Sequence, residues 1–133
     1  MHFTSEPQVT LLLMLGFIIK HYICDFPLQK WPYMYMNKGK LGHPGGILHA
    51  FVHGVGTAIM LTAYCLVKTL PMTICMLISL IDVVTHYLID WWKMDMNNRK
   101  GWGPLTHSEY WVLLGADQMF HYITYIGIAW MLI

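Results

Sequence analysis

Residues 46–92 read GILHAFVHGVGTAIMLTAYCLVKTLPMTICMLISLIDVVTHYLIDWW, which is two apolar segments, about 46–68 and about 70–92, joined by a very short turn before Pro71. Each segment has about the 20 residues with which an α-helix crosses a hydrocarbon core. A connection this short joins antiparallel neighbours, and proline is accepted in the first turn of a helix. The stretch therefore predicts a hairpin of two membrane-spanning helices.

Two further apolar segments flank the hairpin, at about 7–26 and about 107–133. The last one begins with Thr106-x-x-Glu109, a pattern typical of a capping box at the start of a helix. Over the whole chain 56% of the residues are hydrophobic and 11% are charged, about half the charged fraction of an average soluble domain. We therefore expect an all-α, integral membrane four-helix bundle of up-down-up-down topology, formed as a single domain by residues 1–133.

The three cysteines lie singly inside apolar stretches, with no C-x-x-C pair. We interpret Cys24, Cys65 and Cys75 as small residues of membrane helices, because cysteine behaves there as a small hydrophobe. No redox compartment follows from this usage.

The charge of the chain is small and unevenly distributed. A net charge of +1 excludes bulk attraction to nucleic acid as its main property. Basic residues cluster in the first loop (Lys30, Lys38, Lys40) and in the third (Lys93, Arg99, Lys100). By the positive-inside tendency these loops face the cytoplasm and both termini lie outside. We expect a multi-pass protein of the inner (cytoplasmic) membrane, with the lipid bilayer as its partner and an oligomeric state that the sequence does not indicate.

Each apolar segment carries one pair of potential metal ligands spaced i, i+4. The pairs are His21 and Asp25, His49 and His53, His86 and Asp90, and Asp117 and His121. Residues four apart project from the same face of a helix, one turn above each other. In an up-down-up-down bundle, the parts of the helices that carry these pairs meet near one membrane face, on the side of the basic loops. The pairs therefore predict a recess that opens toward the cytoplasm.

The carboxylates of these pairs need partners, because a charged side chain at a helix centre costs about 2.5–3.5 kcal/mol on insertion scales. Apart from Lys20, the interiors of the apolar segments contain no basic residue to neutralise them. One or two divalent cations would do so, and mixed imidazole and carboxylate ligands suit zinc, manganese or iron. Eight ligands from four helices match the dinuclear centres of four-helix bundles. The sequence therefore predicts a metal site, which we interpret as dinuclear and occupied by zinc.

Two polar residues near these pairs are candidates for catalytic roles. Asp82 lies one turn before His86, and it could orient that histidine, act as a general base or bind metal; we favour the orienting role. Gln29 lies one turn after Asp25 and could hydrogen-bond a substrate, as could Gln118.

As a set, the motifs H-x3-D-F-x2-Q from His21, H-x3-H from His49, H-x3-D from His86 and D-Q-x2-H from Asp117 resemble a domain-of-unknown-function family of small bacterial and phage membrane proteins. That family is distantly similar to the inner-membrane metal-dependent hydrolases. The resemblance covers essentially the whole chain, and it implies metal-dependent hydrolysis. One departure is Lys20, where we expect a small residue before the histidine.

Three functions are compatible with such a site. The first is a membrane-embedded metal-dependent hydrolase that acts on a phosphoester or ester of an amphiphile, for which the basic loops suggest a phospholipid or a polyprenyl phosphate. The second is a di-iron lipid oxidoreductase, which uses the same number of ligands. The third is a non-enzymatic cation-binding or membrane-acting phage or bacterial protein. The nearly apolar outer halves of the helices argue against transport, and we adopt the first function.

Overall fold

A computed structural model describes residues 6–133 of the chain, and residues 1–5 of the predicted domain 1–133 lie outside the described residues. The described part is helical and contains no strand. Its elements are α1 (Glu6–Asp25), a 3-10 turn (Leu28–Lys30), α2 (Pro32–Tyr35), α3 (Pro44–Lys68), α4 (Met72–Lys100) and α5 (Ser108–Met131). The predicted all-α class is confirmed.

Three helical segments are long and apolar enough to cross a membrane, namely Pro7–Lys30, Pro44–Lys68 and Met72–Lys100. The fourth long helix, α5, has 24 residues, but its mean hydropathy is too low for it to be counted with these three segments. Its aromatic residues and the polar residues Asp117 and His121 lower its mean hydropathy. The membrane character of the chain is thus supported by three helices, while the fourth span and the four-helix membrane bundle stay predictions.

All four long helices turn large apolar side chains outward. Leu12 of α1, Val67 of α3, Leu77 of α4 and Val112 of α5 are each more than half exposed. A soluble monomer rarely exposes so much apolar surface, whereas lipid chains solvate it without cost. The exposed face of α5 therefore has the same character as those of the three membrane-like helices.

The four long helices pack in a ring, α1 on α3, α3 on α4, α4 on α5 and α5 on α1, and enclose one interior. Part of that interior is an apolar core in which Phe17, Leu61 and Tyr125 are completely buried. Cys65 and Cys75 form a disulfide in this core that joins α3 to α4. The sequence indicated only that these cysteines are small residues of membrane helices; the helical hairpin brings Cys65 and Cys75 together, and Cys24 is free.

Two helix ends differ from the sequence prediction. Helix α4 continues two turns past the expected end near residue 92 and stops at Gly101, whose φ of 67° is left-handed. It continues because Lys93 and Asn97 extend the buried face of the helix inward. The predicted capping box of α5 does not form: its N-cap is His107, and Thr106 Oγ1 contacts the His107 ring at 2.7 Å.

Candidate metal centre

The eight predicted ligands converge inside the ring of helices, at the end that holds the last turns of α1 and the first turns of α3. They are His21, Asp25, His49, His53, His86, Asp90, Asp117 and His121, and none is more than 4% exposed. Three groups have ligand atoms within 4.8 Å of one another: Asp25/His49/His53/His86, His21/His86/His121 and Asp90/Asp117/His121. These buried His/Asp groups could hold a metal ion.

His49, His86 and Asp90 form one close triangle of ligand atoms. His49 Nε2 and His86 Nε2 are 3.2 Å apart. Asp90 Oδ2 lies 3.1 Å from the former nitrogen and 3.3 Å from the latter. Ligand atoms bound to one tetrahedral zinc ion at 2.0–2.1 Å lie about 3.3 Å apart. The three atoms therefore have the separations of ligands on a single cation.

Asp25 and His53 lie directly beside this triangle. Asp25 Oδ1 is 3.0 Å from His49 Nε2 and 3.2 Å from His53 Nε2. The His53 ring stacks on the His86 ring, with centroids 3.5 Å apart. Five donor side chains on this side exceed the four that a tetrahedral zinc ion uses.

Asp90 also connects the triangle to Asp117 and His121. While Asp90 Oδ2 faces His49 and His86, its Oδ1 lies 3.6 Å from His121 Nε2, which is 3.4 Å from Asp117 Oδ1. Both His121 Nε2 and Asp117 Oδ1 are buried and have no hydrogen-bond partner among the residues that the structure describes. Buried polar atoms without partners are costly, and a cation between them would remove that cost. Asp90, Asp117 and His121 could therefore hold a metal ion as well.

Lys38 enters the centre from the loop between α1 and α3. Its Nζ lies 2.8 Å from Asp90 Oδ2 and 3.8 Å from Asp25 Oδ1, and its side chain is only 5% exposed. Burial lowers the pKa of Lys38, but the carboxylates of Asp90 and Asp25 outweigh burial, so the pKa lies above the ordinary lysine value. A positive charge therefore lies against two of the candidate ligands.

The carboxylates have more basic neighbours than the sequence indicated. Besides Lys20, Lys38 and Lys93 also reach the carboxylates, with Lys93 Nζ 3.5 Å from Asp117 Oδ2. Lys93 follows Asp90 by three residues in the same helix, so its spacing carried a usable signal. Lys38 had no such signal, because only the fold of the loop brings it inward. The case for a cation consequently depends on ligand geometry and not on uncompensated charge.

Asp82 lies deeper in the interior than the candidate ligands. Its Oδ2 accepts hydrogen bonds from Lys20 Nζ at 3.0 Å and from the Thr57 hydroxyl. The Nδ1 atom of His86 has no hydrogen-bond partner within residues 6–133. The structure therefore pairs Asp82 with Lys20, and the expected orienting contact to His86 is not formed.

Gln29 lies in the 3-10 turn that follows α1. Its Oε1 accepts a hydrogen bond from Lys38 Nζ at 3.1 Å. A recess of about 450 Å³ at this point is lined by Tyr22, Asp25, Phe26, Pro27, Gln29, Lys30 and Tyr35. Gln29 thus lies between the candidate centre and the protein surface, where it could contact a substrate.

The fold and the site define a class, an all-helical protein with membrane-like helices and a buried cluster of histidine and aspartate. The chain belongs to the family described as "Protein of unknown function (DUF3307)", whose sequence profile matches residues 12–133. No curated protein and no solved structure matches it. The expected membership of a domain-of-unknown-function family is confirmed, and the matched region includes every candidate ligand.

Proposed function

We propose that the protein is a membrane-embedded metal-dependent hydrolase whose His/Asp centre holds two divalent cations. The observation that carries the proposal is the triangle of ligand atoms from His49, His86 and Asp90, with separations of 3.1–3.3 Å. Asp90 would bridge the two positions through its second oxygen, which faces His121. We favour zinc for this imidazole-rich set, with manganese or iron as alternatives.

Such a pair of cations, when bound, supplies Lewis acidity and activates a water molecule near neutral pH. The chain's own residues then bind and orient the substrate. Lys38 carries N–H donors for an anionic oxygen, and Gln29, which accepts one of them, holds the ammonium group near the recess. Asp82 compensates the buried charge of Lys20 and so stabilises the packing at the inner end of the centre. In this proposal Gln29 contacts the substrate. Asp82 does not contact it and acts through its ion pair with Lys20, beneath the centre.

The two cavities beside α1 suit an amphiphilic substrate. The recess that contains Asp25 and Gln29 has charged and aromatic walls, as a polar head group requires. An apolar groove of about 690 Å³ runs between α1 and α3 and is lined by Gly16, Ile23 and Val55, among others. A hydrocarbon chain in the groove would leave a phosphoester or ester head near the recess. We therefore propose a phospholipid or a polyprenyl phosphate as the substrate.

The charge of the loops and the position of the disulfide support one orientation in the membrane. The basic first and third loops lie at the end of the helices that carries the centre, and such loops favour the cytoplasm. The Cys65–Cys75 disulfide joins the helices near the α3–α4 turn, and disulfides persist in oxidising compartments. We propose an inner-membrane protein with both termini outside and the centre facing the cytoplasm.

The proposal is tested by purifying the protein in detergent without chelators and measuring its metal content. We expect about two ions of zinc, manganese or iron per chain, and hydrolysis of a short-chain phospholipid or of p-nitrophenyl phosphate. His86→Ala should lose both properties, whereas His107→Ala, at the N-cap of α5, should keep them. Metal-free wild type that is still folded would refute the proposal.

Two other outcomes point to the other functions. Bound iron with no hydrolysis of either substrate would favour the di-iron lipid oxidoreductase. Equal behaviour of wild type, His86→Ala and His107→Ala would favour a non-enzymatic role.

A further inference from the structure

We propose that His21 is a positioning residue that donates a hydrogen bond from Nε2 to Asp25, and that it is not a metal ligand. The positions of the protons on the His21 ring follow from its contacts with Tyr125, Asp25 and Gln118, together with the contact of Lys20 with Tyr125. Its consequence for Asp25 rests on the proposed metal centre.

The inner side of the His21 ring faces the Tyr125 hydroxyl. Lys20 Nζ can only donate, and it donates to the Tyr125 hydroxyl at 3.1 Å. Tyr125 is completely buried, so its own O–H needs an acceptor inside the protein. His21 Nδ1 lies 2.9 Å from that hydroxyl oxygen. Tyr125 therefore donates to His21, and Nδ1 must present its lone pair and not a proton.

The outer side of the His21 ring faces Asp25 and Gln118. His21 Nε2 lies 3.0 Å from Asp25 Oδ2 and 3.0 Å from Gln118 Oε1. The orientation of the Gln118 amide is fixed, because its Nε2 donates to the Asp117 carboxylate at 3.1 Å. Both neighbours of His21 Nε2 are thus acceptors, so that nitrogen must carry the proton.

Together these contacts occupy both ring nitrogens. The lone pair of Nδ1 accepts from Tyr125, and the proton on Nε2 points between Asp25 and Gln118, so no lone pair is left for a cation. Asp25 is held through Oδ2, which leaves its Oδ1 facing His49 and His53 at 3.0 and 3.2 Å. Outer hydrogen bonds of this kind orient metal-binding side chains. The unexpected Lys20 also gains a role, since it fixes the direction of the whole chain of donors.

Nitrogen-15 NMR of the detergent-solubilised protein tests the protonation pattern directly. We expect His21 as the neutral Nε2–H tautomer in metal-free protein, with nitrogen shifts that zinc titration leaves nearly unchanged. Tyr125→Phe removes the donor to Nδ1 but leaves both acceptors at Nε2, so the Nε2–H tautomer should persist while the Nδ1 shift reports the lost hydrogen bond. An Nδ1–H tautomer in wild type, or loss of the Nε2 proton on adding zinc, would overturn the inference.

Zinc titration of three variants tests the role of the residue. His21→Leu should weaken zinc binding about 10–100-fold, as removal of outer partners does. His21→Gln keeps an N–H donor toward Asp25 and should recover most of that loss. His49→Gln should abolish stoichiometric binding, and equal losses for His21→Gln and His49→Gln would contradict the positioning role. If wild type binds neither zinc nor manganese nor iron, the proposed function fails, while the NMR result still decides the tautomer of His21.

Discussion

Lys38 Nζ lies 2.8 Å from Asp90 Oδ2, the same oxygen that lies 3.1 Å from His49 Nε2. An ammonium group and a divalent cation repel each other, and the repulsion is strong in a buried site. In the proposed centre, lysine and metal would therefore compete for Asp90, and Lys38 would have to move away from this oxygen when a cation binds. Its displaced charge would then be free for the anionic group of the proposed substrate.

Replacing Lys38 by methionine should tighten zinc binding about tenfold or more, because the competing charge is removed. Without metal, the same variant should lose about 3–5 kcal/mol of unfolding free energy, since the buried Asp90 is left without its cation. A competition titration with a chromophoric chelator measures the first effect and denaturant unfolding the second. Lys40→Met is the matched control, since Lys40 Nζ bonds Asn37 at the exposed surface of the same loop.

Weaker zinc binding in Lys38→Met than in wild type would contradict this competition. Such a result would mean that Lys38 supports the ligand arrangement and does not oppose the cation.

Asp90→Asn should remove more metal than Asp117→Asn. Asp90 presents one oxygen to His49 and His86 and the other to His121, so both proposed cations depend on it. Asp117 lies on one side only. Native mass spectrometry should show a fall from about two ions per chain toward none for Asp90→Asn, and to about one for Asp117→Asn.

The control for this pair is Asp95→Asn on the same helix as Asp90. Asp95 pairs with Arg99 at the surface, and its loss should leave the metal content unchanged. Equal metal content in Asp90→Asn and Asp117→Asn would exclude Asp90 as the bridge.

The convergence and burial of the eight candidate side chains could be predicted from the sequence because their signal is local. An i, i+4 pair such as His86 and Asp90 shares one helix face whatever the helix packs against. Burial of polar side chains is then forced by the apolar surroundings, so four such pairs had to meet inside. The structure places all eight side chains there, none more than 4% exposed.

The features that were missed depend on contacts between distant parts of the chain. Lys38 reaches Asp90 because a loop folds back over the helix ends, and no periodicity records that. The donor chain from Lys20 through Tyr125 to His21 joins α1 to α5, and Lys20 and Tyr125 are 105 residues apart in sequence. The pairing of Cys65 with Cys75 depends on which faces α3 and α4 turn toward each other. Spacing within one helix contains none of this information.

Thiol labelling should detect one free cysteine and one disulfide in the membrane-bound protein. Alkylation in denaturant should modify Cys24 alone before reduction and all three cysteines afterwards. Cys65→Ser should lower the unfolding free energy by about 2–4 kcal/mol, the usual contribution of a disulfide. Cys24→Ser is the control, which removes the free thiol and should leave the Cys65–Cys75 disulfide intact. Three reactive thiols without reductant would contradict both the disulfide and the proposed exposure of this end to an oxidising compartment.

A side chain at Gly54 should be destabilising, because this residue lies where α3 meets α4 beside the candidate centre. A Cβ at this position would overlap Cγ2 of Val83, and the adjacent His53 ring stacks on His86. Gly54→Ala should therefore push the two helices apart and lower the unfolding free energy by about 1–3 kcal/mol. The separation of His53 from His86 should weaken zinc binding in the same variant.

Gly115 provides the matched comparison, because a Cβ there would meet nothing within 4 Å in the described part of the chain. Alanine is the better helix former, so Gly115→Ala should stabilise α5 by up to about 1 kcal/mol. Reversible unfolding in mixed micelles, followed by circular dichroism, measures both variants, and chelator competition measures zinc binding. If Gly54→Ala proved as stable as Gly115→Ala and bound zinc as tightly as wild type, the close α3–α4 contact would not be what sets the separation of the two histidines.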